Sequence, residues 1–317
     1  MVDIKTLFLY ILIFGALAVP GYILGKRGKM KHDSIRDISV ILTDIAMPFL
    51  VLSKLIESDI KDFTLTEILA CIIIPVIICF ALFFISKAVF KKEEQKKRAA
   101  SIFCAIFPNC GFLGIPIAAA MFPDTPKVCA LVALYNVMST FMLLTLGEYV
   151  YSGDIKRVKP LKILIKPITI AVALGFLFSF FGLSAKLPFV GLYSDILASL
   201  TTPLSMIVLG AELSRLKWRE LFLTRSMYLS SAIRLIISPL AALLMLAVPQ
   251  YLFSVNIGVE LATAIMISSG VSTAATASAI AERYEADGKH AAILSLGATI
   301  LAAITLPAIS LLYNLLF

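Results

Sequence analysis

The stretch FPNCGFLGIP, residues 107–116, carries two prolines, two glycines and an asparagine within ten residues. The sequence on either side is apolar and reads as membrane-spanning helix. Proline removes a backbone donor and disturbs the preceding turn. In hydrocarbon each orphaned backbone group costs several kcal/mol, so a break there survives only when buried in protein or lining a wet cavity. The freed carbonyls and amides then become groups that a ligand can use.

The rest of the chain supplies the membrane. It has 317 residues, 60% of them hydrophobic and 15% charged, with a mean hydropathy of +0.97. Apolar runs of about 20 residues recur along its whole length, the pattern of an all-α polytopic membrane protein. Spans are expected near 5–25, 36–56, 65–89, 98–121, 127–150, 163–182, 192–213, 224–247, 256–281 and 290–315. The first run has too long an apolar core for a signal peptide and no evident small-residue cleavage site, so it reads as a span. Cys71, Cys79, Cys104, Cys110 and Cys129 form no C-x-x-C pair and read as small packing residues. The two histidines, His32 and His290, fall in loops, which argues against a metal site.

The net charge of +8 sits in short loops between spans, a placement unlike that of a nucleic-acid binder. Loops 26–36, 91–98, 156–166 and 214–225 are basic and 282–289 is mixed; the alternate loops carry few cations. Of the 28 Lys and Arg, 22 fall on the first side, and Lys5, Lys54, Lys61, Lys127 and Lys186 on the other. The positive-inside rule puts both termini outside the cell membrane, consistent with ten spans.

An internal repeat is visible. SVILTDIAMP (39–48) resembles SDILASLTTP (194–203), and aligning spans 4 and 9 matches Pro108 with Gly270, Asn109 with Val271 and Cys110 with Ser272. The halves are 1–155 and 156–317. Five spans per half force the second half to run upside down, an architecture that places binding sites at mid-membrane on broken helices. New helices starting at Gly111 and Ser272 would offer amides to an anion, and the half-helix ends before them carbonyls to a cation.

These residues resemble the auxin efflux carrier family, which includes plant exporters of the PIN type and bacterial permeases. FPNCGFLGIPIA is similar to its span-4 signature, LTTPLSMIVLGAELSR (200–215) to its span-7 stretch, and AIAERYEAD (279–287) to the close of span 9. The resemblance implies a fold shared with bile-acid sodium symporters: two inverted five-helix repeats with broken, crossing helices 4 and 9. It also implies a scaffold of spans 5–56 and 163–213, a moving transport domain of spans 65–150 and 224–315, and an elevator-type mechanism. Members of the family usually carry a proline at the span-9 break. Here SSGVSTAATAS has none, and Gly270 with the hydroxyls of Ser268, Ser269, Ser272 and Thr273 is expected to open the helix by capping freed amides.

The expected substrate-binding set is therefore Pro108, Asn109, Cys110, Gly111, Gly114, Ser269, Gly270, Ser272 and Thr273, with Arg234 and Asn136. Two roles fit Arg234 near mid-depth of span 8: counter-ion to a substrate carboxylate, or a buried partner of an acid or of helix-end carbonyls. Asn136 suits either the crossing or a hydrogen bond to a neighbouring helix. Asp44, Asn109 and Ser269 are candidates for ion or proton coupling, by H+ or Na+; a structural role suits Asp44 equally. Glu148, Glu212 and Glu260 read as interfacial. The expected function is secondary transport of a small organic anion such as a carboxylate, with no bound cofactor, contacts to membrane lipid and a homodimer as possible assembly. A channel or ligand sensor on the same fold is the alternative. The spans lack the paired aspartates, Ser/His sets or metal-ligating histidines of an intramembrane enzyme, and no P-loop occurs.

Overall fold

Helix is the only regular backbone that satisfies its own polar groups within one lipid-embedded segment, and every named element is helical. The computed structural model describes residues 3–58, 60–154, 156, 158, 160–183 and 187–317; Arg157, Lys159 and Lys186 of the charge pattern lie outside the described residues. Seven helices among these are long and apolar enough to cross a membrane: α1 (Ile4–Lys26), α2 (His32–Glu57), α3 (Leu65–Val89), α6 (Pro126–Ser152), α8 (Pro188–Leu213), α10 (Arg225–Phe253) and α13 (Gly288–Leu316). Shorter helices stand between them: α4 (Gln95–Ile106), α5 (Cys110–Met121), α7 (Pro167–Phe180), α9 (Trp218–Leu223), α11 (Val259–Gly270) and α12 (Ala277–Arg283).

Local chemistry sets the ends. Asp3 caps α1 by accepting from the Lys5 amide at 3.0 Å, and Asp287 caps α13 through the His290 amide at 2.8 Å. Thr64 and Glu67 form a reciprocal capping box on α3. The same Glu67 receives the Lys127 ammonium at 2.8 Å, which ties the start of α6 to the start of α3.

Three of the π turns precede a proline, while a fourth, Leu143–Gly147, has none nearby. Wide π turns occupy Leu42–Ala46, Cys110–Gly114 and Ile233–Ile237, each two residues before a proline: Pro48, Pro116 and Pro239. Proline has no amide to donate and its ring crowds the carbonyl four residues back; a widened turn relieves both. In α8, at the place equivalent by repeat to the α2 π turn, the helix is interrupted at Ser199–Leu200, just before Pro203.

In the most extensive helix packing, α1 lies along the second half of α8, and the second half of α2 packs on α7 and the first half of α8. Elsewhere α3 and α11 pack on α6, while α4, α10 and α12 pack on α13. The α1–α8 contact is backbone on backbone. A Cβ added at Gly21 would stand 2.0 Å from the Ile207 carbonyl oxygen, and one at Gly210 1.9 Å from that of Ala18. Small residues permit this approach where no hydrophobic force drives helices together.

Candidate functional site at the helix crossing

Two helices end face to face inside the protein. α4 stops at Ile106 and α5 begins at Cys110; α11 stops at Gly270 and α12 begins at Ala277. Pro108 and Thr273 pair as an antiparallel bridge. The Asn109 amide donates to the Ser272 carbonyl at 2.7 Å, and the Ala274 amide to the Phe107 carbonyl at 2.9 Å. Each break thus satisfies the other's exposed backbone.

The second break forms without a proline, and this corrects two expectations. The helix after it starts at Ala277 rather than at Ser272. The hydroxyls do not cap amides: Thr273 donates to the Cys104 carbonyl at 2.7 Å, Ser269 to that of Met266 at 3.3 Å, and Ser272 accepts from Thr299 at 3.1 Å. Ser268 Oγ is buried with no partner. The freed amides are met by carbonyls of the opposite strand, a contact between segments far apart in sequence. In the first break the new helix begins at Cys110, one residue before Gly111, with the Asn109 side chain accepting from the Phe112 amide at 3.3 Å.

Arg234 resolves the choice left open for it. Its side chain is 0% exposed. The guanidinium donates to the Ile106 carbonyl at 2.8 Å, to that of Val271 at 3.3 Å and to that of Ser269. It is held by the carbonyl ends of α4 and α11. Ser238, one turn on, also donates to the Ser269 carbonyl at 3.3 Å.

The remaining expected residues divide. Cys110 is fully buried, its thiol donating to the Ser268 carbonyl at 3.3 Å. Gly111 faces Met47 of α2 and Asn136 of α6: an added Cβ would lie 3.5 Å from the Met47 Sδ and 3.9 Å from the Asn136 Oδ1. Asn136 therefore does reach the crossing. Gly114 packs on Val132, and Gly270 abuts Leu306. Asp44 is exposed and accepts from the Thr43 hydroxyl at 3.0 Å.

A cavity of about 420 Å³ opens beside the crossing, between α2, the end of α8, the start of α12 and α13. Its rim carries His32, Arg36, Arg215, Lys217 and Lys289, drawn from two of the basic loops and the mixed one, together with Glu220 and Glu282. Lys289 bonds Glu220 at 2.7 Å and, with Lys217, holds that carboxyl below the usual carboxylate range. Phe112, Glu212 and Ala275 line both this cavity and a narrow neck of about 10 Å³ that reaches Asn109. Beyond the neck, and sharing Leu113, Met206 and Leu209 with it, an apolar cavity of about 210 Å³ continues along α13 past Thr299. Glu212 lines the neck, and Glu148 is buried. The signal missed at Glu212 was its position one turn from Arg215 at the end of α8.

The arrangement joins a vestibule with a mainly cationic rim to a constriction at a buried asparagine, beside the ends of two broken helices. A membrane transport protein family matches the chain twice, at residues 6–153 and 152–310. An uncharacterized transporter of Methanocaldococcus jannaschii is 30% identical over 219 residues, 64% of this chain and 68% of that protein. The chain belongs to this family, the auxin efflux carriers that its sequence resembles, and is an integral membrane permease rather than an enzyme.

Proposed function

We propose that this member of the membrane transport protein family is a secondary transporter that carries a small organic anion, such as a carboxylate, across the cell membrane by an elevator-type movement. One observation carries the proposal: the cationic vestibule narrows to Asn109 at the point where two broken helices meet. Sites on broken helices at a repeat interface are the working parts of alternating-access carriers.

In this reading the chain crosses the membrane ten times, as two inverted halves, with α4–α5 and α11–α12 each counted once. The grouping of α1, α2, α7 and α8 is the scaffold, and the helices around the crossing are the part that moves. The basic loops lie in the cytoplasm and both termini outside, so the vestibule represents the inward-facing state. Arg36 and Arg215 draw an anion in, and the N-terminal end of α5, capped by Asn109, receives it. The neck closes and reopens on the other side as the crossing helices travel along α1 and α8.

Proteoliposomes containing the purified protein test this. They should accumulate a labelled carboxylate chosen from an organic-acid thermal-shift screen, where a ligand at 100 times its Kd stabilises by about 2.7 kcal/mol. Arg215→Ala should lower uptake without unfolding the protein. A protein that neither shifts with any organic acid nor loses uptake on this substitution would sink the assignment.

A further inference from the structure

The two half-helices that end at the crossing bring their negative dipole ends together. Each α-helix C-terminus carries about half an elementary negative charge. Where α4 and α11 meet, the sum is about one charge, in a place with no exposure to solvent. Carriers built on broken helices fill such a place with a coupling cation drawn from solution. Here the three carbonyls that would ligate it, those of Ile106, Ser269 and Val271, already accept from one guanidinium. No acidic side chain pairs with Arg234 among the described residues. Its charge is therefore answered by backbone dipoles alone. The π turn Ile233–Ile237 places it, and Pro239 holds that turn open.

We infer that Arg234 is a tethered counter-ion occupying the seat of a coupling cation, so that this carrier works without sodium, and that trimming the side chain uncovers a latent monovalent-cation site. The fork of a guanidinium suits the seat because its donors point outward in a plane and reach carbonyls on two separate helices at once. A lysine ammonium keeps the charge but not the spread. Removing the charge leaves the carbonyls of Ile106 and Val271 and two dipole ends without a partner, and the Ser269 carbonyl with the Ser238 hydroxyl alone, a costly arrangement inside a protein. The inference rests on the carrier reading for its meaning, but its test uses no substrate. A failed uptake assay leaves it standing, and its own failure leaves the carrier reading intact.

The measurement is the melting temperature of the purified protein in NaCl, KCl or choline chloride at one ionic strength. The wild type should melt within about 1 °C in all three, since only a bound ligand shifts a melting curve by mass action. Arg234→Met, which keeps bulk without charge, should melt lower by about 5–10 °C in choline. Arg234→Lys should fall between it and the wild type. Arg234→Ala should recover part of its loss in NaCl or KCl, or with millimolar methylguanidinium chloride, but none with choline. Sodium-specific stabilisation of the wild type would overturn the inference, as would an Arg234→Met protein as stable as the wild type. An Arg234→Ala protein indifferent to every cation would remove the latent site. Should Arg234→Ala fail to fold, the wild-type, methionine and lysine arms still decide the central claim.

Discussion

At the scale of the residue, Asn109 does two jobs that pull on different measurements. Its side chain caps α5, and its 5% exposed surface is turned to the neck. Asn109→Ala should cost about 1 kcal/mol of stability through the lost cap. It should also lower uptake by more than that loss explains. Asn109→Ser, which restores a capping oxygen, should recover the melting temperature before it recovers transport. Gly210 is constrained for a plainer reason. A methyl there would lie 1.9 Å from the Ala18 carbonyl oxygen, so Gly210→Ala must push α1 and α8 apart. Overpacking of this kind costs typically about 1–3 kcal/mol, and a thermal melt of the purified variant reads it directly.

At the scale of the element, the two broken helices teach what a break requires. α4–α5 has Pro108 at its interruption, and α11–α12 has no proline at all. Both stay open because each satisfies the other, through Asn109 to Ser272 and Ala274 to Phe107. Pro108→Ala should accordingly keep the break, with a loss of only about 0.4–1 kcal/mol from the freer unfolded chain. Thr273→Val should cost more, about 1–3 kcal/mol, because it strands the buried Cys104 carbonyl. If the proline variant melts lower than the valine variant, the breaks are made locally and not by their mutual pairing. The sequence pointed to the first break by composition. For the second it pointed to the right residues but the wrong bonds, since hydroxyls beside a glycine look like caps until the opposing strand is in place.

At the scale of the whole molecule, the vestibule and the charge pattern make one prediction together. Ala279 lines the cavity, and all five native cysteines are buried. A cysteine introduced by Ala279→Cys should react with a membrane-impermeant thiol reagent from the face bearing the basic loops and remain silent from the other. A transported anion should slow that reaction. Labelling from the opposite face alone would reverse the orientation proposed for the chain, and the native protein provides the unreactive background.

The sequence alone determined that the chain is helical and membrane-embedded, where its long apolar runs lie, and that residues 107–116 interrupt one of them. These properties follow from hydropathy and backbone chemistry within a short window, and lipid enforces them regardless of neighbours. Tertiary structure decided the rest. Arg234 meets a carbonyl 128 residues before it in the chain as well as those of Ser269 and Val271 after it. Asp44 turns outward while Glu212 turns to the neck. A buried charge takes whichever partner the packed helices bring to it, and no local pattern in a single chain records that choice.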